Sequence, residues 1–195
     1  MPLKSKRPRI APLEPPYDEQ TEVALDLLGP PIQLFRVWAR RPDLARGIAG
    51  WGRYYLSRRS ALTLRQRELV IDRTTSRCGA DYEWGVHVAT FAEKAGFDAE
   101  QIRSLATGSA ADACWDANDR AVLDAVDELH ATSDLSDETW TQLVDAVGED
   151  ATLEVILICG WYHAISFTVR ALRLPQEPGT PSLTSPDGFG CSSYP

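Results

Sequence analysis

The sequence predicts an all-α fold, and two kinds of pattern indicate it. Apolar residues recur three and four positions apart, as at Leu44, Ile48, Trp51 and Tyr55, which places them on one face of a helix. Helix-capping residues, glycines and prolines separate these runs from one another. No segment alternates apolar and polar residues between hairpin turns, as a half-buried strand does. We therefore expect about seven to nine helices.

Capping residues and helix breakers place the boundaries of these helices. Thr63 with Gln66, and Asp98 with Gln101, have the spacing of capping boxes, which begin helices. Asp81 is predicted to be the N-cap of the helix between them. The resulting predicted helices cover residues 18–28, 32–40, 42–58, 63–77, 81–96, 98–106, 116–131, 136–147 and 150–173.

Proline-rich segments flank the predicted helical domain. Residues 1–16 are basic and proline-rich, which predicts an extended arm. Residues 176–195 are rich in Pro, Gly and Ser, which predicts a tail that is flexible or wraps a neighbouring subunit. Residues 17–175 remain for a single domain, because a chain of 195 residues suffices for one large core.

Charge and hydropathy favour a cytoplasmic protein without a nucleic-acid or membrane partner. The net charge of −8 disfavours phosphate binding, which needs a basic surface. No apolar run follows the basic residues near the N-terminus, as a signal peptide requires. The most apolar stretch, 153–167, is interrupted by Glu154 and His163 and is short beside a bilayer span of about 20 residues.

The cysteines and two of the histidines favour structural roles. None of the four cysteines forms a C-x-x-C, and no Cys/His group has the spacing of a structural zinc site. We expect isolated, reduced thiols. His130 ends a predicted helix, where its charge suits the helix dipole, and His163 is expected to pack in the core or at an interface. The cysteines are Cys78, Cys114, Cys159 and Cys191.

One short stretch, C-G-A-D-Y-E-W-G-V-H, brings together residues that carry chemistry. Glu83 and His87 are four residues apart and so share a helical face, beside the apolar stripe that contains Trp84. They are a proton-transfer pair or a polar surface pair, and Cys78 adds thiol chemistry as a third hypothesis. Glu68, in R-Q-R-E-L-V-I, is a further candidate, although its sequence context favours the surface.

One segment runs from L-R-Q-R-E-L-V-I-D-R through E-W-G-V-H to A-G-F. It resembles the carboxymuconolactone decarboxylase family, whose superfamily includes alkylhydroperoxidase D. The later segments D-R-A-V-L-D-A-V-D-E-L and G-W-Y resemble it too, so that the resemblance covers about residues 30 to 175. It implies an alkylhydroperoxidase D-like helical fold. It also implies a homo-oligomer, which we expect to be a dimer, trimer or hexamer.

The resemblance separates two kinds of chemistry. The peroxidase branch has C-x-x-C-x-x-x-H, and aligning its histidine with His87 places Ala80 and Glu83 where the thiols stand. Cys78 is out of register, so a hydroperoxide reductase acting through Cys78 is the alternative. The decarboxylase branch has E-x-x-x-H, which Glu83 and His87 match.

The resemblance therefore implies cofactor-free acid/base catalysis on a small carboxylated or lactone-like substrate, by decarboxylation, lactone opening or isomerisation. His87 is the expected general base or acid, Glu83 orients it or donates a second proton, and Glu68 is a relay. These three could instead ligate a divalent ion, although we expect none. A catalytically inactive binding or assembly protein is the other alternative. The expected substrate-binding residues are Tyr82, Trp84, Trp161 and Tyr162.

Overall fold

Nine α-helices make up the part of the chain that the computed structural model describes, residues 7–186. The prediction of an all-α fold is confirmed, because these residues form no strand beyond an isolated bridge between Ser182 and Ser185. The helices are α1 (Glu19–Leu28), α2 (Gln33–Trp38), α3 (Pro42–Tyr55), α4 (Leu64–Arg77), α5 (Asp81–Phe91), α6 (Ala99–Thr107), α7 (Ala117–Thr132), α8 (Asp137–Val147) and α9 (Glu149–Leu172).

Most of the predicted caps are present, and one is not. The capping boxes that begin α4 at Thr63 and α6 at Asp98 are both formed. The prediction that Asp81 caps α5 is wrong, because the N-cap is Ala80 and Asp81 is the first helical residue. The Asp81 carboxylate instead accepts a hydrogen bond from the backbone N–H of Leu183, at 2.6 Å. It therefore holds the C-terminal segment against α5.

The helix α4 lies at the centre of the fold. It packs against α5, α6, α7 and α9, and nine consecutive residues, from Arg67 to Thr75, are buried. Leu69, Val70 and Ile71 contribute its apolar part to the core. Polar side chains on a helix that is buried on all sides usually form hydrogen bonds inside the protein. Two of those side chains, Glu68 and Asp72, belong to the site described below.

The helix α9 is the most apolar element. It is long and apolar enough to cross a membrane by length and composition alone, with a mean hydropathy of 1.5 over its best window. It is also longer than the apolar stretch seen in the sequence. In the structure it packs against α4, α5, α7 and α8, as the core helix of a helical domain does. Cytoplasmic localisation stays a prediction.

The segments before α1 and after α9 lie on the helical core. The backbone N–H of Arg9 donates to the carbonyl of Leu172 at 2.9 Å, and the Tyr82 hydroxyl donates to Glu177 at 2.6 Å. The predicted domain boundaries and the homo-oligomer stay predictions. Residues 1–6 of the predicted arm and 187–195 of the predicted tail, which include Cys191, lie outside the described residues.

Replacing Gly85 with alanine is expected to push the C-terminal segment away from α5. An added Cβ would lie 2.5 Å from the backbone oxygen of Pro181 and 2.9 Å from Gln176 Oε1, and backbone cannot yield as a flexible side chain can. We expect Gly85→Ala to lower the free energy of unfolding by about 1–3 kcal/mol, measured by urea denaturation.

The matched control for this substitution is Gly50→Ala. Gly50 is also helical, but a Cβ there meets nothing within 4 Å. It should stabilise the protein by about 0.5–1 kcal/mol, because alanine loses less backbone entropy on folding. Equal effects of the two substitutions would contradict the close approach at Gly85.

Candidate active site

A cavity of about 360 Å³ lies between α2, α3, α5 and α9 and is closed on one side by residues of the C-terminal segment. This volume suits a small organic molecule. The wall is mostly apolar, with Arg53, Arg67, Glu83, His87 and Tyr162 as its main polar members. Its apolar part includes Leu34, Phe35, Trp38, Ile48, Trp161 and Ile165.

His87, on α5, is held on both of its ring nitrogens. Nδ1 lies 2.8 Å from Glu68 Oε2, and Nε2 lies 3.0 Å from the hydroxyl of Tyr162. Glu83, one turn earlier on α5, brings Oε1 to 3.6 Å from Nε2. The imidazole is buried and is therefore fixed in orientation by three elements of the fold.

Glu68 is fully buried on α4, although its sequence context favours the surface. Besides its hydrogen bond with His87, it accepts one from Arg67 Nε at 2.9 Å. Arg67 Nη1 in turn donates to the backbone carbonyl of Tyr55. A buried carboxylate is tolerated when it is paired and hydrogen-bonded, and both conditions are met here.

The carboxylates determine the charge of His87. Burial alone lowers the pKa of this imidazole, but the charge and hydrogen bond of Glu68, with Glu83 in addition, raise it to about 10. His87 is therefore an imidazolium at neutral pH. Its Nδ1–H donates to Glu68, and its Nε2–H donates towards the Tyr162 hydroxyl oxygen. Burial, together with Glu83 and Glu68, raises the pKa of Tyr162 well above its usual value, which keeps that hydroxyl protonated.

Two carboxyl groups near His87 have unpaired oxygens. Glu83 Oε2 has no hydrogen-bond partner among the described residues, and neither oxygen of Asp72 has one. Asp72 lies one turn after Glu68 on α4 and is completely buried. Burial, with the nearby charge of Glu68, raises the pKa of Asp72 well above its usual range. Burial thus favours the neutral form of Asp72 beside this pair.

The sequence of the chain matches a known family across the helices that carry this site. Residues 42–128 match the model of the carboxymuconolactone decarboxylase family, and this range includes Glu68, Glu83 and His87. Within residues 42–128 the chain is similar to this family. No curated protein matches its sequence.

One solved structure has a similar fold. It is that of an uncharacterized peroxidase-related protein from Silicibacter sp. TM1040, with a TM-score of 0.73 and 16% sequence identity. The match covers 91% of this chain and 97% of that chain. At this identity the likeness establishes the alkylhydroperoxidase D-like fold and leaves the chemistry to the residues of the site.

The structure brings together some of the residues that the sequence singled out. Glu68, Glu83 and His87 converge, and Trp161 and Tyr162 line the same cavity. Their predicted catalytic and substrate-binding roles stay predictions. Tyr82 and Trp84 are buried in the core and do not line this cavity. The Tyr82 hydroxyl instead joins Glu177 to α2, where it accepts from the backbone N–H of Leu34 at 3.1 Å.

Cys78 lies elsewhere, as the C-cap of α4, and lines a different cleft from that of His87. Burial raises the pKa of its thiol. A thiol peroxidase needs the thiolate at neutral pH, so this environment does not favour peroxidase chemistry in a chain without the C-x-x-C pair.

A single metal ion does not fit between His87 and the two glutamates. Glu68 faces Nδ1 and Glu83 faces Nε2, and one imidazole offers only one nitrogen to a given ion. The geometry therefore favours an ion-paired imidazolium over a metal ligand.

Sequence analysis missed two members of the site. Arg67 precedes Glu68 directly, and a cation beside a buried carboxylate is the partner such a group needs. Asp72 is four residues after Glu68, on the same face of α4. That spacing is a usable signal once Glu68 is known to be buried.

Proposed function

We propose that this protein is an enzyme that uses acid/base catalysis, without a cofactor, on a small carboxylated or lactone-like molecule. The observation that carries the proposal is the buried imidazole of His87, held between Glu68 and Tyr162 on the wall of a mostly apolar cavity. A proton donor fixed in a mostly apolar pocket suits the protonation of a carbanion or enolate.

His87 acts first as the general acid, because it rests in the doubly protonated form. In decarboxylation, carbon dioxide leaves and its bonding electrons form an enolate, which takes the proton from His87 Nε2; a proton from solvent then restores the imidazolium. In isomerisation, Glu83 first removes a proton beside the carbonyl, and His87 returns one at another carbon. Glu83 then passes its proton back across the 3.6 Å to Nε2.

Tyr162 and Glu68 support this exchange. The Tyr162 hydroxyl, kept protonated by burial, can donate to the developing enolate oxygen. Glu68 is a positioning residue, since it holds the proton on Nδ1 and directs Nε2 into the cavity. Both roles depend on side chains that the fold buries before any substrate binds.

The cavity indicates the substrate class. Its apolar wall and its volume of about 360 Å³ suit a small ring or unsaturated chain. Arg53, exposed on α3, belongs to the lining and supplies a cation for a substrate carboxylate. The other arginine of the lining, Arg67, is already engaged with Glu68.

The test is turnover of a panel of small β-keto acids, β,γ-unsaturated acids and unsaturated lactones in deuterated water, followed by proton NMR. This assay detects decarboxylation, ring opening and proton exchange together. We expect His87→Gln and Glu83→Gln to slow the reaction about 10²- to 10⁴-fold. Glu138→Gln, at an exposed position of α8, is the matched control and should keep full activity. Undiminished turnover by His87→Gln would rule out the proposal.

A further inference from the structure

A second cleft, of about 770 Å³, lies where the ends of α4 and α7 meet α9. It shares no lining residue with the cavity of His87. Cys78, His130 and His163 all line it, and the proposed reaction uses none of them. These residues are far apart in the sequence, but their ligand atoms lie within 4.8 Å of one another.

The three side chains converge on one point. Cys78 Sγ lies 3.9 Å from His130 Nδ1, and His130 Nδ1 lies 2.9 Å from His163 Nε2. In a tetrahedral zinc site, bonds of about 2.0–2.1 Å to nitrogen and 2.3 Å to sulfur place neighbouring ligand atoms roughly 3.3–3.7 Å apart. The two imidazoles need to separate by a few tenths of an ångström, and the thiol needs to approach His130 by a similar amount and to move closer to His163, whose ligand atom lies within 4.8 Å of it.

The backbone already orients one of the ligands. His163 Nδ1 donates to the carbonyl oxygen of Cys159, one turn earlier on α9, at 2.8 Å. This hydrogen bond keeps the proton on Nδ1 and leaves the lone pair of Nε2 directed at His130. Metal-binding histidines are usually held in this way, by an acceptor on the nitrogen that does not bind the ion.

We propose that Cys78, His130 and His163 form a binding site for a thiophilic divalent cation, with Zn²⁺ the best fit. One thiolate and two imidazoles are ligands that zinc prefers, and three protein ligands leave a fourth position open to the cleft. Binding exchanges the thiol proton of Cys78 for the metal–sulfur bond and releases that proton to solvent. The proton of His130 moves from Nδ1 to Nε2, which leaves Nδ1 free to bind.

The cations around the cleft are compatible with a bound metal ion. Arg77 is paired with Asp127, at 2.7 Å from Nε to Oδ1, although Asp127 also pairs with Arg73 and so offsets only part of the charge of the two arginines. Arg170 donates to the backbone carbonyl of Cys78 and its charge favours the thiolate form. Both arginines line the cleft and favour an anion or water in the open position.

The test is metal binding by the full-length, tag-free protein after treatment with a chelator. Zn²⁺ is titrated by calorimetry, and Co²⁺ is added as a spectroscopic probe. We expect one ion per chain and a thiolate-to-cobalt charge-transfer band in the near ultraviolet. Cys78→Ser and His163→Gln should each weaken Zn²⁺ binding about 100-fold or more, and Cys78→Ser should abolish the cobalt band.

Two control variants locate the ion. Cys114→Ser removes a half-buried thiol outside the cleft and should bind Zn²⁺ as the wild type does. His87→Gln should also retain Zn²⁺. The proposal would be overturned if His87→Gln lost Zn²⁺ binding while Cys78→Ser kept it. Circular dichroism checks the fold of every variant. Should Cys78→Ser fail to fold, the spectrum of the wild-type protein with Co²⁺ is sufficient as a test. Absence of the cobalt–thiolate band in that spectrum would contradict the proposed site.

Discussion

Replacing Glu68 with glutamine is expected to lower the pKa of His87 from about 10 by about 1–3 units. The substitution removes the nearest negative charge and the acceptor 2.8 Å from Nδ1. Burial lowers the pKa of the imidazole, and only Glu83 then remains to raise it. A larger fraction of His87 in Glu68→Gln is thus expected to be neutral near pH 7, and that fraction can no longer serve as the resting acid.

NMR titration of the imidazole resonances measures this change directly. The chain has three histidines, so His130 and His163 serve as internal references in the same spectra. Glu138→Gln is again the matched control and should leave the titration of His87 unchanged. An unaltered pKa of His87 in Glu68→Gln would show that Glu68 does not hold the imidazolium.

The stability of the protein is expected to fall between about pH 6.5 and pH 10. The folded-state pKa of His87 is raised above its unfolded value of 6.5, to about 10. Its contribution to stability is therefore fully present below pH 6.5 and is lost as the pH rises through 10. Since one pKa unit corresponds to about 1.36 kcal/mol, the loss amounts to at most roughly 4–5 kcal/mol. Urea unfolding at several pH values measures it.

The variant His87→Gln isolates this contribution and should show a much flatter dependence of stability on pH. Asp72 acts in the same direction, because its folded-state pKa is also raised and its neutral form is the favoured one. The comparison is therefore repeated in an Asp72→Asn background, where the difference in slope between the chains with and without the imidazole belongs to His87. An equal slope with and without the imidazole would contradict the raised pKa.

Local chemistry explains which features the sequence predicts well. The boundaries of α4 and α6 depend on contacts three residues apart, such as Thr63 with Gln66 and Asp98 with Gln101. Glu83 and His87 share a face of one helix, so their proximity follows from their spacing alone. Such features need no knowledge of how the helices pack.

The rest depends on packing that the sequence does not display. Asp81 has the chemistry of an N-cap, but the backbone of Leu183 takes its carboxylate. Glu68 looks like a surface residue until α4 is known to be buried all round. The proposed metal ligands Cys78, His130 and His163 have no recognisable spacing, because three separate helices bring them together.

The contact between Asp81 and Leu183 also bears on the order of folding. It joins residues that are 102 positions apart, whereas the capping contacts of α4 and α6 join residues three apart. Closing so long a loop costs more chain entropy than forming a helical turn, and long-range contacts accordingly form late. The helices that carry Glu68 and His87 are therefore expected to assemble before the C-terminal segment covers the cavity. For the same reason, this segment is the first part of the cavity wall to open in local unfolding.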